Sequence, residues 1–179
     1  MQPNINWQPE ILEDDLIKLI PLKESDFNKL FAVASDPLIW EQHPTADRYR
    51  KEIFQVYFDG AVKSKFAFII IDIKTGEYIG STRYYDFKPE SSSIAIGWTF
   101  LARKYWGGEY NKSAKKLLLH YAFQFVDNVY FHIGSSNIRS QKGTMKIGAK
   151  KVGEVTLDDN GKPLIHFEYL IRKEEWEKI

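Results

Sequence analysis

Cysteine is absent from the chain, which excludes disulfides, zinc–thiolate sites and thiol nucleophiles together. A reducing compartment is thereby allowed, and the cytoplasm is the expected location. An excess of either charge is also missing, with 25 Lys and Arg against 24 Asp and Glu over 179 residues. No chain-wide basic field exists to draw nucleic acid, so any anion must be held locally. Long apolar runs are lacking too, and none approaches the roughly 18 residues that a membrane-spanning helix needs. The opening stretch, MQPNINWQPEILEDD, has neither the basic start nor the apolar core of an export signal. We expect no membrane association, no export, no nucleic-acid partner and no metal. What is present is a globular composition, 44% hydrophobic and 27% charged, at a length that suits one domain. Aromatic residues reach 15%, with five Trp and ten Tyr. Most should fill a core and some should line a cavity.

Apolar periodicity sets the expected order of elements. LIKLIPL (16–22) has the pattern of a strand, and KESDFNKLFAVASDP that of a short amphipathic helix with Ser25 or Asp26 as cap and Pro37 as stop. Residues 36–47 hold two prolines and are expected to be turns, after which 48–64 resume helical spacing. KFAFIIIDI (65–73) is almost continuously apolar, as a strand buried on both faces would be. YIGSTRYYDF (78–87) and IAIGWTFLA (94–102) complete an antiparallel meander. Beyond it helix and strand alternate: Tyr110, Ala114, Leu117, Leu118, Tyr121 and Phe125 form one face of a helix over 109–126, a strand covers 129–134, and another helix starts near Ser136 or Asn137. A hairpin across DDNGK ends the chain. The expected fold class is α+β, a mixed but mostly antiparallel sheet of about six to seven strands flanked by helices, in a single domain over 12–172.

The junction RKYWGGEYNKSAKK poses the functional question, because two glycines precede a helix there. A tight turn, a seat for an anionic ligand and a basic face for nucleic acid are the alternatives. A helix that starts just after a strand offers unpaired N–H groups and the positive end of its dipole, and glycines let a ligand approach the backbone. No Gly-Lys-Ser/Thr follows at Walker spacing and no dinucleotide fingerprint is present, which argues against a nucleoside triphosphate. Downstream, HIGSSNIRSQKGTMKIGAKKVGE sets Asn137 and Ser140 after a strand and Gly148 after the next helix.

Together, RKYWGGEYNKSAKKLLLHYAF and NIRSQKGTMKIGAKKVG resemble the two signature segments of the GNAT acyltransferase superfamily, in particular its Rim-type protein N-terminal acetyltransferases. The resemblance implies acetyl-CoA as acyl donor, no metal, an amine acceptor, and room for a homodimer. It implies that backbone groups of Phe100 and Leu101 pair with the pantetheine amides. The pyrophosphate would lie on the loop from Arg103 to Lys112, with Gly107, Gly108, Tyr110 and Asn111 at its centre. Asn137 would support the pantetheine arm, Ser140 would stand beside the thioester sulfur, and Arg139 and Lys142 would serve the nucleotide end. Two positions depart from the family pattern: Glu109 stands where a small residue is usual, and Thr144 stands where many relatives carry a Tyr that protonates the thiolate.

Acyl transfer from a thioester to an amine needs aligned reactants, a deprotonated amine, a stabilised oxyanion and a protonated thiolate. Ser140 is the candidate for the leaving thiolate, with a helix cap as its alternative role. Ser140→Ala is then expected to cost turnover, and Thr144→Ala much less. His43, in WEQHPT, is the candidate base, with a surface histidine as the alternative. Trp40, Tyr84, Tyr85 and Glu168 are candidates for the acceptor pocket. The expected function is acetyl-CoA-dependent N-acetylation of a primary amine, a protein or peptide α-amine first, then a polyamine or antibiotic. A catalytically silent acyl-CoA binder and a nucleic-acid module using KSAKK are the rivals from other classes.

Overall fold

The computed structural model describes residues 4–159 and 161–179. Residues 1–3 of the opening stretch and Asn160 of the expected DDNGK turn lie outside them. One sheet of eight strands organises the chain in the order β1-β2-β3-β4-β5-β6-β8-β7. The strands are β1 (Leu12–Glu13), β2 (Ile17–Pro21), β3 (Ala67–Asp72), β4 (Tyr78–Lys88), β5 (Ser93–Leu101), β6 (Asn128–Gly134), β7 (Lys150–Asp159) and β8 (Lys162–Arg172). The expected six to seven become eight because β1 is only two residues long, paired with Leu19 and Lys18, and too short to carry a periodic signal. All neighbours are antiparallel except β5 and β6, which run parallel. A parallel pair needs a crossover, and the helix α4 (Tyr110–Ala122) supplies it.

β3 shows why the sheet has helices on both sides. Phe68 and Ile70 pack with Leu118, Leu119 and Ala122 of α4 in one core cluster. Ala67, Ile69 and Ile71 alternate to the other face. There they meet Leu30 of α1 (Phe27–Ala34) and Phe54 and Phe58 of α3 (Lys51–Ser64). The proline-broken stretch holds one helical turn, α2 (Pro37–Trp40), that was expected only as turns. Pro37 starts it, and the Asp36 carboxylate accepts from the Leu38 N–H at 3.1 Å. Asp26 sits at the start of α1, but its carboxylate accepts from the Lys23 N–H and the Tyr78 hydroxyl, both at 2.8 Å. Helix α5 (Ile138–Met145) follows β6, and α6 (Lys173–Trp176) follows β8. No helix among the described residues is long and apolar enough to cross a membrane.

Candidate active site

β5 pairs with β6 only at Ser93, Ala95 and the intervening Ile94, and the rest of β6 is paired with β8. The two parallel strands therefore splay, and the second half of β5 shows an unpaired edge to the gap. A β-bulge deepens the break, because between Ser81 and Arg83 of β4 the register on β5 moves from Phe100 to Gly97, and Trp98 lies in the left-handed region at φ 55°. A cavity of about 670 Å3 fills the splay. Its walls are the bulge, the Gly pair, residues 131–134 of β6 and the Asn137, Ser140 and Thr144 face of α5, and His43 and Arg48 line it as well.

The two glycines differ in their reasons. Gly107 has φ 73°, which favours glycine in any turn, whereas Gly108 has no such demand and a Cβ there would meet nothing within 4 Å. Glu109 is the N-cap residue of α4 but makes no capping bond, and its carboxylate turns to Lys112 at 3.3 Å with 72% of its side chain exposed. It therefore leaves the first-turn amides open to an anion. Gly108→Val should leave the melting temperature of the free protein unchanged and weaken acetyl-CoA binding by roughly tenfold or more, measured by titration calorimetry. Undiminished affinity would remove the pyrophosphate from this turn.

Of the residues singled out in the sequence, His43, Tyr85, Phe100, Leu101, Gly107, Gly108, Asn111, Lys112, Asn137, Arg139, Ser140 and Lys142 line the cavity. Five others do not. Trp40 is 1% exposed in the α1/α3 core, with its indole N–H bonded to the Ala34 carbonyl. Tyr84 is buried against α4 and donates to the Leu118 carbonyl. The Tyr110 hydroxyl donates to Asp72 at 3.2 Å, and Arg103 is bound to the Asp36 that caps α2. Glu168 reaches His132 from β8 and opens on a separate, smaller cavity.

Others line the cavity in a different capacity. Phe100 and Leu101 are paired with Ser81 and Gly80 of β4, and the Leu101 carbonyl accepts the Trp106 indole N–H at 2.9 Å. That pairing uses the β4-side edge of β5, and the pairing of β5 with β6 ends at Ala95. Arg139 lies 3.7 Å over the Trp106 ring and donates to the Ile39 carbonyl, which ties α5 to the α2 loop. His43 is a poor base: burial, then the Arg48 and Arg139 cations, push its imidazole down to about 3. Asn137 caps α5 by accepting the Ser140 N–H at 3.2 Å, so capping does not occupy the Ser140 side chain.

Two features escaped the sequence. Lys115 of α4 is 5% exposed, lines the cavity, and donates to Thr144 Oγ1 at 2.8 Å. Burial lowers its ammonium to about 7, and a Cβ at the neighbouring Gly143 would crowd Asn111 Nδ2 at 3.0 Å. Tyr85 meets His132 across β5, the hydroxyl 2.7 Å from Nδ1.

The sequence that builds this splayed parallel pair and glycine-opened helix N-terminus matches the family model of the acetyltransferase (GNAT) domain over residues 17–150. The chain belongs to the GNAT acetyltransferase family. A candidate acetyltransferase from T. thermophilus is 25% identical, with 95% of this chain and 93% of that one covered at TM-score 0.77. RimJ of Mycobacterium smegmatis, solved in complex with CoA-disulfide, is 18% identical over 89% of this chain and 83% of its own at TM-score 0.69. A candidate ribosomal-protein-serine acetyltransferase of Vibrio cholerae is 14% identical over 96% and 99% at TM-score 0.76. The GNAT fold supports acyl-CoA-dependent acetyltransfer, with acetyl-CoA the donor that the family implies. The residues here suit that donor at both ends: open amides at Gly107 and Gly108 for its phosphates, and the unpaired β5 edge for its arm.

Proposed function

We propose that this protein is an acetyl-CoA-dependent N-acetyltransferase that passes the acetyl group directly to a primary amine, a peptide or protein α-amine before a small amine. The observation that carries it is the continuous cavity from the Gly108 turn, past Ser140 and Lys115, to Tyr85 and Arg48. One end suits a phosphate-bearing donor and the other an acceptor, with proton-carrying groups between. The likeness to RimJ and to the candidate ribosomal-protein-serine acetyltransferase favours a protein acceptor.

The amine nitrogen attacks the thioester carbon, the carbonyl electrons move to oxygen, and their return expels the CoA thiolate. Aligning donor and acceptor in one cleft supplies much of the rate. A backbone N–H of the bulge at 97–99 would stabilise the oxyanion as it develops. The thiolate takes a proton at sulfur from the Ser140 or Thr144 hydroxyl, the latter resupplied by the Lys115 ammonium that it bonds. A hydroxyl bonded to a buried cation is a better acid than one bonded to water, which lets Thr144 stand in for a tyrosine.

A thermal-shift comparison of acetyl-CoA, CoA, ATP and an oligonucleotide tests the donor. Acetyl-CoA at a hundredfold excess over Kd should raise the melting temperature by roughly 5–10 °C, and ATP and the oligonucleotide should leave it in place. A shift with the oligonucleotide alone would make this a nucleic-acid module. Acetylation of N-terminal peptides against polyamines and aminoglycosides then tests the acceptor, and turnover on polyamines alone would reverse the preference.

A further inference from the structure

The cavity has a second exit, and it is built of side chains. Tyr85 of β4 faces the main cavity, and its hydroxyl is 2.7 Å from His132 Nδ1 on β6. His132 Nε2 is in turn 2.9 Å from Glu168 Oε2 on β8. β5 runs between β4 and β6, so the tyrosine ring has to cross it. It crosses at Gly97, where a Cβ would lie 2.8 Å from Tyr85 Cε1. On the far side His132 and Glu168 line a separate cavity of about 170 Å3, rimmed by Asp86 and Lys88. Among the described residues, His132 alone belongs to both cavities.

We infer that Tyr85, His132 and Glu168 form a relay that takes the proton from the acceptor amine and delivers it to solvent through the smaller cavity. The inference rests on the amine acetylation proposed above. Before the nitrogen attacks, its ammonium proton passes to the Tyr85 oxygen while the Tyr85 O–H proton passes to His132 Nδ1; the neutral amine then adds to the thioester, and the second N–H proton, lost from the adduct, balances the one that the CoA sulfur takes. The Nε2 proton moves to the Glu168 carboxylate, which releases it to water. The amine loses one positive charge, one proton leaves, and no other reactant is consumed. Burial first, then the Asp86 and Glu168 charges, raise the Tyr85 phenol well above its usual range, so it serves as a neutral conduit and not as a standing phenolate. Tyr85 receives the proton from the amine and is the catalytic residue of the three. His132 and Glu168 act through it, as positioning residues that also carry the proton onward. The charged and titratable groups around His132 are Tyr85 from β4, Glu168 from β8, Tyr130 stacked at 6.4 Å on its own strand, and the Asp86–Lys88 pair at 2.9 Å. β5 contributes none.

The relay matters only for an amine that arrives protonated, and that separates it from a structural role. The probes are ethylamine and trifluoroethylamine, nearly equal in size, the second already unprotonated at neutral pH. With acetyl-CoA and ethylamine, Tyr85→Phe, His132→Phe and Glu168→Gln should each lower kcat by about a hundredfold at pH 7. Relative to the wild type at the same pH, kcat of the variants should climb about tenfold per pH unit toward the pKa of the amine. With trifluoroethylamine the loss should shrink to less than about threefold. Glu168→Gln, at the surface end, keeps the test available if a core variant fails to fold. Equal losses with both amines, or none, would overturn the relay while leaving the acetyltransferase intact. A wild-type protein that binds acetyl-CoA and acetylates neither amine would overturn the acceptor reading, and the relay with it.

Discussion

Lys115→Met is expected to give a protein that melts higher and turns over more slowly. The stability gain follows from the cost of burying a charge. With its ammonium lowered to about 7 from a reference of 10.5, Lys115 carries its burial penalty in full at pH 6, where folded and unfolded chains are both protonated. Between pH 7 and about 10.5 the folded protein gives up the proton first, the unfolded state binds more protons, and the penalty shrinks as pH rises. Methionine removes that penalty and loses the bond to Thr144, a cost of about 1 kcal/mol. The net gain should be a few kcal/mol at pH 6, a rise of roughly 5 °C in melting temperature, fading by pH 10. Turnover should move the other way, with kcat down roughly a hundredfold at neutral pH if the ammonium supplies the thiolate proton through Thr144. The decline of kcat above about pH 7, as wild-type Lys115 loses its proton, should disappear in the variant. The stability gain follows from burial whatever the role of the lysine, so the pH profile decides: a Lys115→Met variant that keeps the wild-type kcat and its pH dependence would discard the catalytic role.

Elements that repeat burial at a fixed period could be read before any coordinates existed, and those assembled from distant pieces could not. β3 was legible because six consecutive buried residues allow only a strand covered on both faces. α4 was legible because Ala114 and Leu118 recur with helical spacing and the Gly pair marks its start. The same helix hid Lys115. In KSAKK the lysines look like one solvated run, and only the packing of α5, whose Thr144 accepts from Lys115, shows that one of them is buried. Trp40 and Tyr84 misled for the opposite reason, since an aromatic side chain suits a pocket wall and a core equally and only the packing decides. Tyr85 and His132 are 47 residues apart, and His132 and Glu168 are 36 apart. No local spacing encodes their meeting, which depends on the strand order and on the missing side chain at Gly97. His43 had a favourable ring chemistry and an unfavourable neighbourhood, set by burial and by two arginines, Arg48 five residues on and Arg139 from α5.

Ser140→Ala should lower kcat by roughly ten- to ten-thousandfold, the range between one lost hydrogen bond and full acid catalysis, and should leave acetyl-CoA affinity nearly unchanged. A group that acts only when charge develops on sulfur affects the transition state and not the bound donor. The competing role for Ser140 was a helix cap, but the cap of α5 is the Asn137 side chain, so Ser140→Ala should also leave the melting temperature in place. Asn137→Ala, by contrast, should cost about 1 kcal/mol of stability through loss of that cap. Thr144→Ala was expected from sequence to matter much less than Ser140→Ala. Its bond to Lys115 changes that expectation, because alanine there leaves a buried ammonium with its acceptor removed. If the two hydroxyls share the work, each single variant should retain part of kcat, and the double variant should lose no more than the product of the single losses. If Thr144 and Lys115 form the whole path, Ser140→Ala should turn over at the wild-type rate while Thr144→Ala and Lys115→Met fall together and flatten the same alkaline limb. Turnover against pH in these three variants, at saturating acetyl-CoA, therefore identifies which hydroxyl delivers the proton to the departing sulfur.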